Sequence, residues 1–363
     1  MSSSRLNVAV LYGGKNTEHE ISLISAKNIV NQIDQNKYQV HLIAINHLGQ
    51  WFWQPNFKFN QNLPCQFTPD RLIKINMDMS TNPFMSGVGE LPSIDIVFPV
   101  LHGINGEDGT IQGLLRCLNL PFVGCDVLSS ALCMDKVAMK QMMQSANIAT
   151  APWRVVLSNE IENIHVESVI KELGLPIFIK PANAGSSVGI SKVTRATQLI
   201  PKLFEASQFD TKILLETMVH GREIECPIIG NQIAEAALPA EIITHSDYEF
   251  YCYTAKYIAV EGATLNYPAE LDEHQRLAIQ ETAIQAYKAM HCEGMARVDC
   301  FLTVDDKVYV NEINTIPGFT PISLFPKCWQ SSGLNQMALM TRLIDLALAK
   351  HSNRQNLHFQ KHA

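Results

Sequence analysis

The stretch VYVNEINTIPGFT, residues 308–320, decides how this chain is read. An apolar run (Val308, Tyr309, Val310) leads into Asn311, Glu312, Ile313 and Asn314, followed by Pro317-Gly318. A strand suited to burial therefore ends on a carboxylate and an amide two residues apart, which places both on one face. The preceding ARVDCFLTVDDK (296–307) reads as its hairpin partner. With Asp305-Asp306 as a two-residue loop, Asp299 faces Glu312 and Arg297 faces Asn314, on one side of the pair and about 5 Å apart. Two carboxylates at that distance repel by roughly 3 kcal/mol at an effective dielectric near 20. A half-buried site would need a cation there, and oxygen donors from Asp, Glu and Asn suit magnesium completed by substrate phosphates. The alternative is a wet hairpin face whose acids point at water.

Three further stretches raise the same kind of choice. IFIKPANAGSSVGISKV (177–193) sets a glycine-rich loop between two apolar runs. It is neither a Walker loop nor a dinucleotide fingerprint. Its amides and the Ser186 and Ser187 hydroxyls are nonetheless groups that wrap phosphate oxygens. Lys180 and Lys136 can add point charges. The plain reading is a flexible turn. LLETMVHGREIEC (214–226) puts Glu216 at a strand end and Glu223 early in the next strand, as acceptors for a base or ribose or simply as surface acids. GGKNTEHEIS (13–22) holds Glu18 at a helix start, where the dipole favours an anion.

With 363 residues, two or three domains are expected. A net charge of −7 leaves no basic footprint for nucleic acid. No signal peptide and no apolar run long enough to span a membrane are read. The nine cysteines lie far apart without a C-x-x-C pair, as in a reduced, cytoplasmic protein.

NVAVLYGG (7–14), YQVHLIAIN (38–46) and DIVFPVLHG (95–103) read as strands of a parallel sheet, the last ending near Pro99. The first is followed by a helix with Leu23, Ala26, Val30 and Ile33 on one face. Residues 50–93 read as an insertion. Asp108 is a plausible N-cap, and SSALCMDKVAMKQMMQSA (129–146) reads as one helix. Short strands then give an antiparallel middle, followed by a helix over 271–290, the hairpin, a helix over 334–350 and a fraying tail.

Taken in order, GGKNTEHEIS, VFPVLHGINGEDGTIQG (97–113), MDK (134–136), KPANAGSSVGISKV, AKY (255–257), ARVDCFL and NEINTIPGFTPISLFP (311–326) closely resemble the D-alanine–D-alanine ligases of the ATP-grasp superfamily. The resemblance covers about residues 6–350. It implies an ATP-grasp fold mixing α/β and α+β parts. An N-terminal parallel α/β domain (1–135) would precede a small antiparallel domain (136–221), a C-terminal α+β domain (222–350) and a polar tail (351–363). It implies ATP-dependent joining of two D-alanines through a D-alanyl phosphate, for peptidoglycan precursors, by a homodimer that uses two Mg2+ (or Mn2+). Asp299, Glu312 and Asn314 would hold the metals, and Lys136, Lys180, Glu216 and Glu223 would contact the nucleotide. The Ser186-Ser187 loop would fold over its phosphates. Glu18, with His102 nearby, would bind the first D-alanine's ammonium. Arg297 and the Gly318 amide would stabilise the oxyanion, and Ser323 with Lys256 would hold the second carboxylate. Ser186, Tyr257 and Glu18 would close the site.

HSDYEFYCYTAKYIAV (245–260) has the length and aromatic content of a lid, with Cys252 where relatives often carry an acid. In D-lactate-using relatives a histidine is expected at the lid tyrosine. Tyr257 here is neutral up to about pH 10 and gives no reason to reject an amine. Rival readings are a ligase adding D-lactate or D-serine, another ATP-grasp carboxylate–amine ligase, and a nucleotide-binding regulator without turnover.

Overall fold

The computed structural model describes residues 5–55, 57–59, 61–77, 82–244 and 263–357. Lys256, Tyr257, Cys252 and the expected lid lie outside the described residues.

The first sheet contains β1 (Leu6–Gly13), β2 (Tyr38–Ile45) and β3 (Trp51–Gln54). A small sheet of β4 (Lys74–Ile75), β5 (Phe84–Ser86) and β6 (Gly89–Glu90) precedes β7 (Ile96–Val100), which rejoins the first. The strand order is β3-β2-β1-β7, parallel except for β3. Both faces are covered, as a parallel sheet requires. Val8 and Val10 pack with α1 (His19–Gln32), while Ala9 and Leu11 pack with α2 (Thr110–Cys117). The region read as an insertion thus begins with an edge strand of the sheet. Pro99 sits inside β7 rather than ending it, because β7 is the opposite edge strand and needs no ladder donor there. Asp108 caps α2 from one residue further out. Its Oδ1 accepts from Thr110 N at 3.0 Å, and Gly109 occupies the cap position at φ 90°.

The single helix read over 129–146 is two, α3 (Val127–Met134) and α4 (Lys136–Ser145). Asp135 ends one and caps the other, its Oδ1 accepting from Val137 N at 3.0 Å and Ala138 N at 3.1 Å. The break sets Lys136 at the first position of α4.

A second sheet, wholly antiparallel, is built from β8 (Trp153–Leu157), β9 (Ile177–Pro181), β10 (Ser191–Val193) and β11 (Lys212–Thr217), in the order β10-β9-β11-β8. It packs on α5 (Val166–Leu173) and α6 (Leu199–Ala206) through Ile177, Ile179, Ile213, Leu173 and Leu203. The third sheet takes β12 (Arg222–Gly230), β13 (Ala234–Ala236), β14 (Ala240–Thr244), β15 (Ala263–Asn266), β16 (Gly294–Leu302) and β17 (Val308–Asn314). Its main order is β15-β14-β12-β16-β17. Its core face buries Cys226, Ile228, Ala296 and Val298 against α7 (Glu273–Ala289) and against Met139 and Met143 of α4. Helices α8 (Leu324–Ser331) and α9 (Gln336–Gln355) return to the first sheet through Phe325, Leu339, Leu343 and Ile344. The last helix therefore runs five residues past 350 into the stretch expected to fray. It is held there because Arg354 pairs with Asp126, and Lys350 Nζ donates to Gly124 O at 2.6 Å.

Asp135→Ala should lower unfolding stability by about 1–2 kcal/mol, the usual cost of losing an N-cap. Urea unfolding of the parent and the variant checks this.

Candidate active site

The β16–β17 hairpin reaches the expected pairing by an unexpected route. Its loop is three residues, Val304 to Asp306, with Asp306 at φ 59° and Thr303 N donating to Lys307 O at 3.0 Å. Near the turn the register is therefore one residue off the two-residue reading: Leu302 faces Val308 and Cys300 faces Val310. A bulge then leaves Asn311 without a cross-strand partner and restores Asp299 opposite Glu312 and Arg297 opposite Asn314. Asn311 and Glu312 both line the site cavity, and Lys180 Nζ donates to Asn311 Oδ1 at 3.3 Å.

The facing carboxylates are offset by protein cations, so no metal is needed to make the apo hairpin tolerable. Arg297 donates from Nε and Nη2 to the two oxygens of Asp299, each at 2.7 Å, and Asn314 Nδ2 donates to Asp299 Oδ2 at 3.0 Å. Lys136 Nζ stands 4.0 Å from Glu312. Glu225, on β12 directly across from Asp299, adds a third acid with Oε2 3.1 Å from Arg297 Nε. Burial works against the Arg297 charge, but Asp299 and Glu225 more than offset it and hold the guanidinium protonated. Glu225 is a residue the sequence reading missed. Its signal was the spacing in REIEC, which puts Glu223 and Glu225 on one face of a strand.

On the neighbouring sheet Glu216 is buried between two ammonium groups, at 2.5 Å from Lys180 Nζ and paired with Lys140. Burial alone would raise its pKa, but Lys180 and Lys140 outweigh this and hold the carboxyl at about 2. Burial pushes the Lys140 ammonium the other way, below its usual range, against the pull of Glu216. Lys140 was also missed, although a lysine three residues from each of Val137 and Met143 falls on the buried face of α4. Glu216 lines the cavity, and its carboxylate also holds Lys180 in place. Glu223 lies on the same cavity wall.

Glu18 immediately precedes α1 and is buried. Ser186 Oγ donates to its Oε1 at 2.5 Å, joining the glycine-rich loop to the first domain's helix across 168 residues of sequence. Ser186 and Ser187 hold φ of 50° and 59°, unusual for residues with a Cβ, in a backbone shaped by its contacts. Opposite lies Gly103, where a Cβ would stand 2.5 Å from Glu18 Oε2. His102 is buried, with Nδ1 3.0 Å from Ile316 O and Nε2 3.3 Å from Ser25 Oγ, and burial lowers its pKa.

Pro317-Gly318 is not a tight turn. Gly318 lies in irregular backbone held by Phe319 N donating to Ser25 Oγ at 3.2 Å and Thr320 N donating to Ser323 Oγ at 3.0 Å. A Cβ at Gly318 would stand 2.8 Å from Ser323 Oγ, so a larger residue there would have to displace that hydroxyl. Ser323 occupies the cap position of α8, so its hydroxyl and that helix end both border the cavity.

Most of these groups line one cavity of about 520 Å³, enclosed by the second and third sheets, the segment after β7 and the start of α1, with Asp299 and Lys140 buried behind that lining. Lysines suited to phosphates stand on one wall, carboxylates and an amide suited to a hard divalent cation on another, and Glu18 at the far end. The fold and this site define an ATP-grasp protein. The description "D-ala D-ala ligase C-terminus" matches residues 142–345 and "D-ala D-ala ligase N-terminus" matches residues 7–125. The chain belongs to the D-alanine–D-alanine ligase family. It is 45% identical to the D-alanine–D-alanine ligase of Proteus mirabilis, covering 96% of each chain. To D-alanine–D-alanine ligase A of Escherichia coli it is 44% identical, covering 96% of this chain and 97% of the relative. The D-alanine–D-alanine ligase structure from Coxiella burnetii superposes with a TM-score of 0.84 at 39% identity, covering 97% of each chain. VanG D-Ala:D-Ser ligase from Enterococcus faecalis also gives 0.84, at 34% identity, covering 95% of this chain and 100% of that one.

Glu107, a further acid outside the sequence reading, accepts from Gly103 N at 2.7 Å and Ile316 N at 2.9 Å. Burial first and the nearby Glu18 charge second push its carboxyl up to about 8. The folded chain thus keeps a proton that the unfolded chain releases near its ordinary value of 4.5. Between those two values the folded state binds more protons, so stability should fall as pH rises. Glu107→Gln should flatten that slope in urea unfolding between pH 5 and pH 8, at a pH-independent cost of about 1 kcal/mol for the lost acceptor.

Proposed function

We propose that the chain joins two D-alanine molecules into D-alanyl-D-alanine at the expense of ATP, with a D-alanyl phosphate as intermediate. The observation that carries this reading is the convergence, in one cavity, of Glu18, Lys136, Lys180, Arg297, Glu312 and Asn314, with Asp299 held directly behind them by Arg297 and Asn314. A carboxylate does not condense with an amine at neutral pH until it acquires a leaving group. Phosphoryl transfer supplies that group, and its catalysis is mostly positioning and charge neutralisation. Lys136 and Lys180 stand where they can neutralise phosphate oxygens, with Lys180 aimed by Glu216 and Asn311.

Asp299, Glu312 and Asn314 would hold two Mg2+ or Mn2+ ions. Their donors fit, being hard oxygens from three side chains on the paired strands β16 and β17, with room in the cavity for phosphate and water to complete the shell. When bound, such ions neutralise the transferring phosphoryl oxygens. Glu18 would take the ammonium of the first D-alanine, with His102 beside it. Arg297 and the Gly318 amide would stabilise the oxyanion that forms when the second amine attacks, such donors being worth about 3 kcal/mol each. The start of α8 at Ser323 suits the second substrate's carboxylate, as helix N-termini suit anions generally. Lys256 would join it, and Tyr257 would close over Glu18 and Ser186. Glu223 would contact the nucleotide and the Ser186-Ser187 loop would cover the phosphates.

The curated relatives' names favour D-alanine as the second substrate. The backbone does not choose, since the D-Ala:D-Ser ligase fits equally well. Boundaries at 135/136 and 221/222 are supported by the separate sheets on either side. The peptidoglycan role, homodimer and cytoplasmic location rest on the family; among the described residues no helix is long and apolar enough to cross a membrane.

Phosphate release from ATP should require D-alanine, and mass analysis should find the dipeptide when D-alanine, D-serine and D-lactate compete at neutral pH. Preferential formation of the D-lactate ester or of a D-serine product would overturn the reading. Glu312→Gln should cut turnover by roughly 100-fold or more while leaving apo stability unchanged or higher, since one of two facing charges is removed. Near-normal turnover at ordinary magnesium would remove Glu312 from the metal set.

A further inference from the structure

One cluster outside the cavity has ligand chemistry of its own. His19 and Glu20 open α1, and His47 lies just beyond the end of β2. One donor atom from each of the three lies within 4.8 Å of the other two. The two imidazoles are 4.0 Å apart between centroids and tilted by 30°. His19 is buried, and its Nδ1 stands 2.9 Å from the Gly14 carbonyl oxygen. A carbonyl only accepts, so Nδ1 carries the proton and Nε2 is left with its lone pair. That is the supporting bond that orients and fixes the tautomer of metal-ligating histidines. His47 and Glu20 are exposed and can close the remaining distance by rotation.

We propose that His19, Glu20 and His47 form a site for a zinc-class divalent ion, with water as the fourth ligand. Two imidazole nitrogens and one carboxylate oxygen suit zinc and its transition-metal neighbours rather than magnesium. The positive end of α1 opposes a cation here, and the Glu20 carboxylate offsets that field. The ion would tie the loop after β1, the start of α1 and the loop after β2 into one unit, one residue from Glu18. It would therefore stiffen the first-domain wall of the cavity without contacting the reacting groups.

The test uses untagged, metal-stripped full-length protein carrying Cys117→Ser, which removes an exposed thiol as a rival ligand. Zinc affinity is measured by competition with a chromophoric chelator. The parent should bind one tight equivalent. His47→Ala and Glu20→Gln should each weaken it by at least about tenfold, the lower end of what losing even a supporting partner costs. Both side chains are exposed, so the variants should fold, and circular dichroism checks this. Zinc should raise the Tm of the parent and not of the variants. Cobalt in place of zinc should give visible bands without the intense near-ultraviolet absorption of thiolate ligation. The proposal is overturned if the parent binds no saturable equivalent, if the variants bind as tightly as the parent, or if the cobalt spectrum is that of a sulfur site.

Discussion

Glu225, Asp299 and Glu312 stand side by side on three neighbouring strands, and the first two are buried; such a row can exist only because Arg297 lies within it. A buried carboxylate without a partner would take up a proton. With the guanidinium spanning Asp299 and Glu225, the row of acids is offset by a fixed cation at the cavity wall while the strands beneath pack an apolar core. The remaining architecture follows from that requirement. The face of β12, β16 and β17 that carries the charges must be the cavity wall, and the opposite face, with Cys226, Ile228, Ala296 and Val298, must be covered by α7.

The same arrangement recurs on the second sheet with the signs reversed. There one carboxylate, Glu216, is shared by two lysines, and only Lys180 reaches on into the cavity to Asn311. Each wall thus presents a charge that is fixed by a deeper charge of opposite sign. Fixed charges in a water-poor cavity need no reorganisation when a substrate's charge develops, which is how such sites lower barriers. Ser186 ties the second sheet's glycine-rich loop to Glu18, while Ile316 and Phe319, just past the third sheet, are tied to His102, Glu107 and Ser25, so the enclosure is closed by hydrogen bonds between distant parts of the chain.

A metal site at His19, Glu20 and His47 would act on the outer side of this enclosure. Its place beside Glu18 links the stiffness of the first domain to the end of the cavity where the ammonium is expected.

What the sequence determined by itself was the set of elements and the chemical character of each motif. Period-two alternation showed the strands, glycines and capping acids showed most boundaries, and the carboxylate–amide pattern of VYVNEINTIPGFT marked the metal-type face. Even the pairing of Asp299 with Glu312 was legible, though a three-residue loop and the Asn311 bulge shift the register in opposite directions and cancel. Tertiary structure alone decided the partners. That Glu225 belongs beside Arg297, that Glu107 bonds Ile316 N across 209 residues, and that Lys140 is buried against Glu216 are long-range facts. Local periodicity shows which face of a helix or strand is covered, not what covers it. The same limit explains α3 and α4: Asp135 reads as one polar residue in a helical pattern until the α4 amides it caps and the Lys212 it pairs with are in place. Charge and shape at a residue are local properties, whereas the free energy of burying that charge depends on a neighbour the chain brings back from far away.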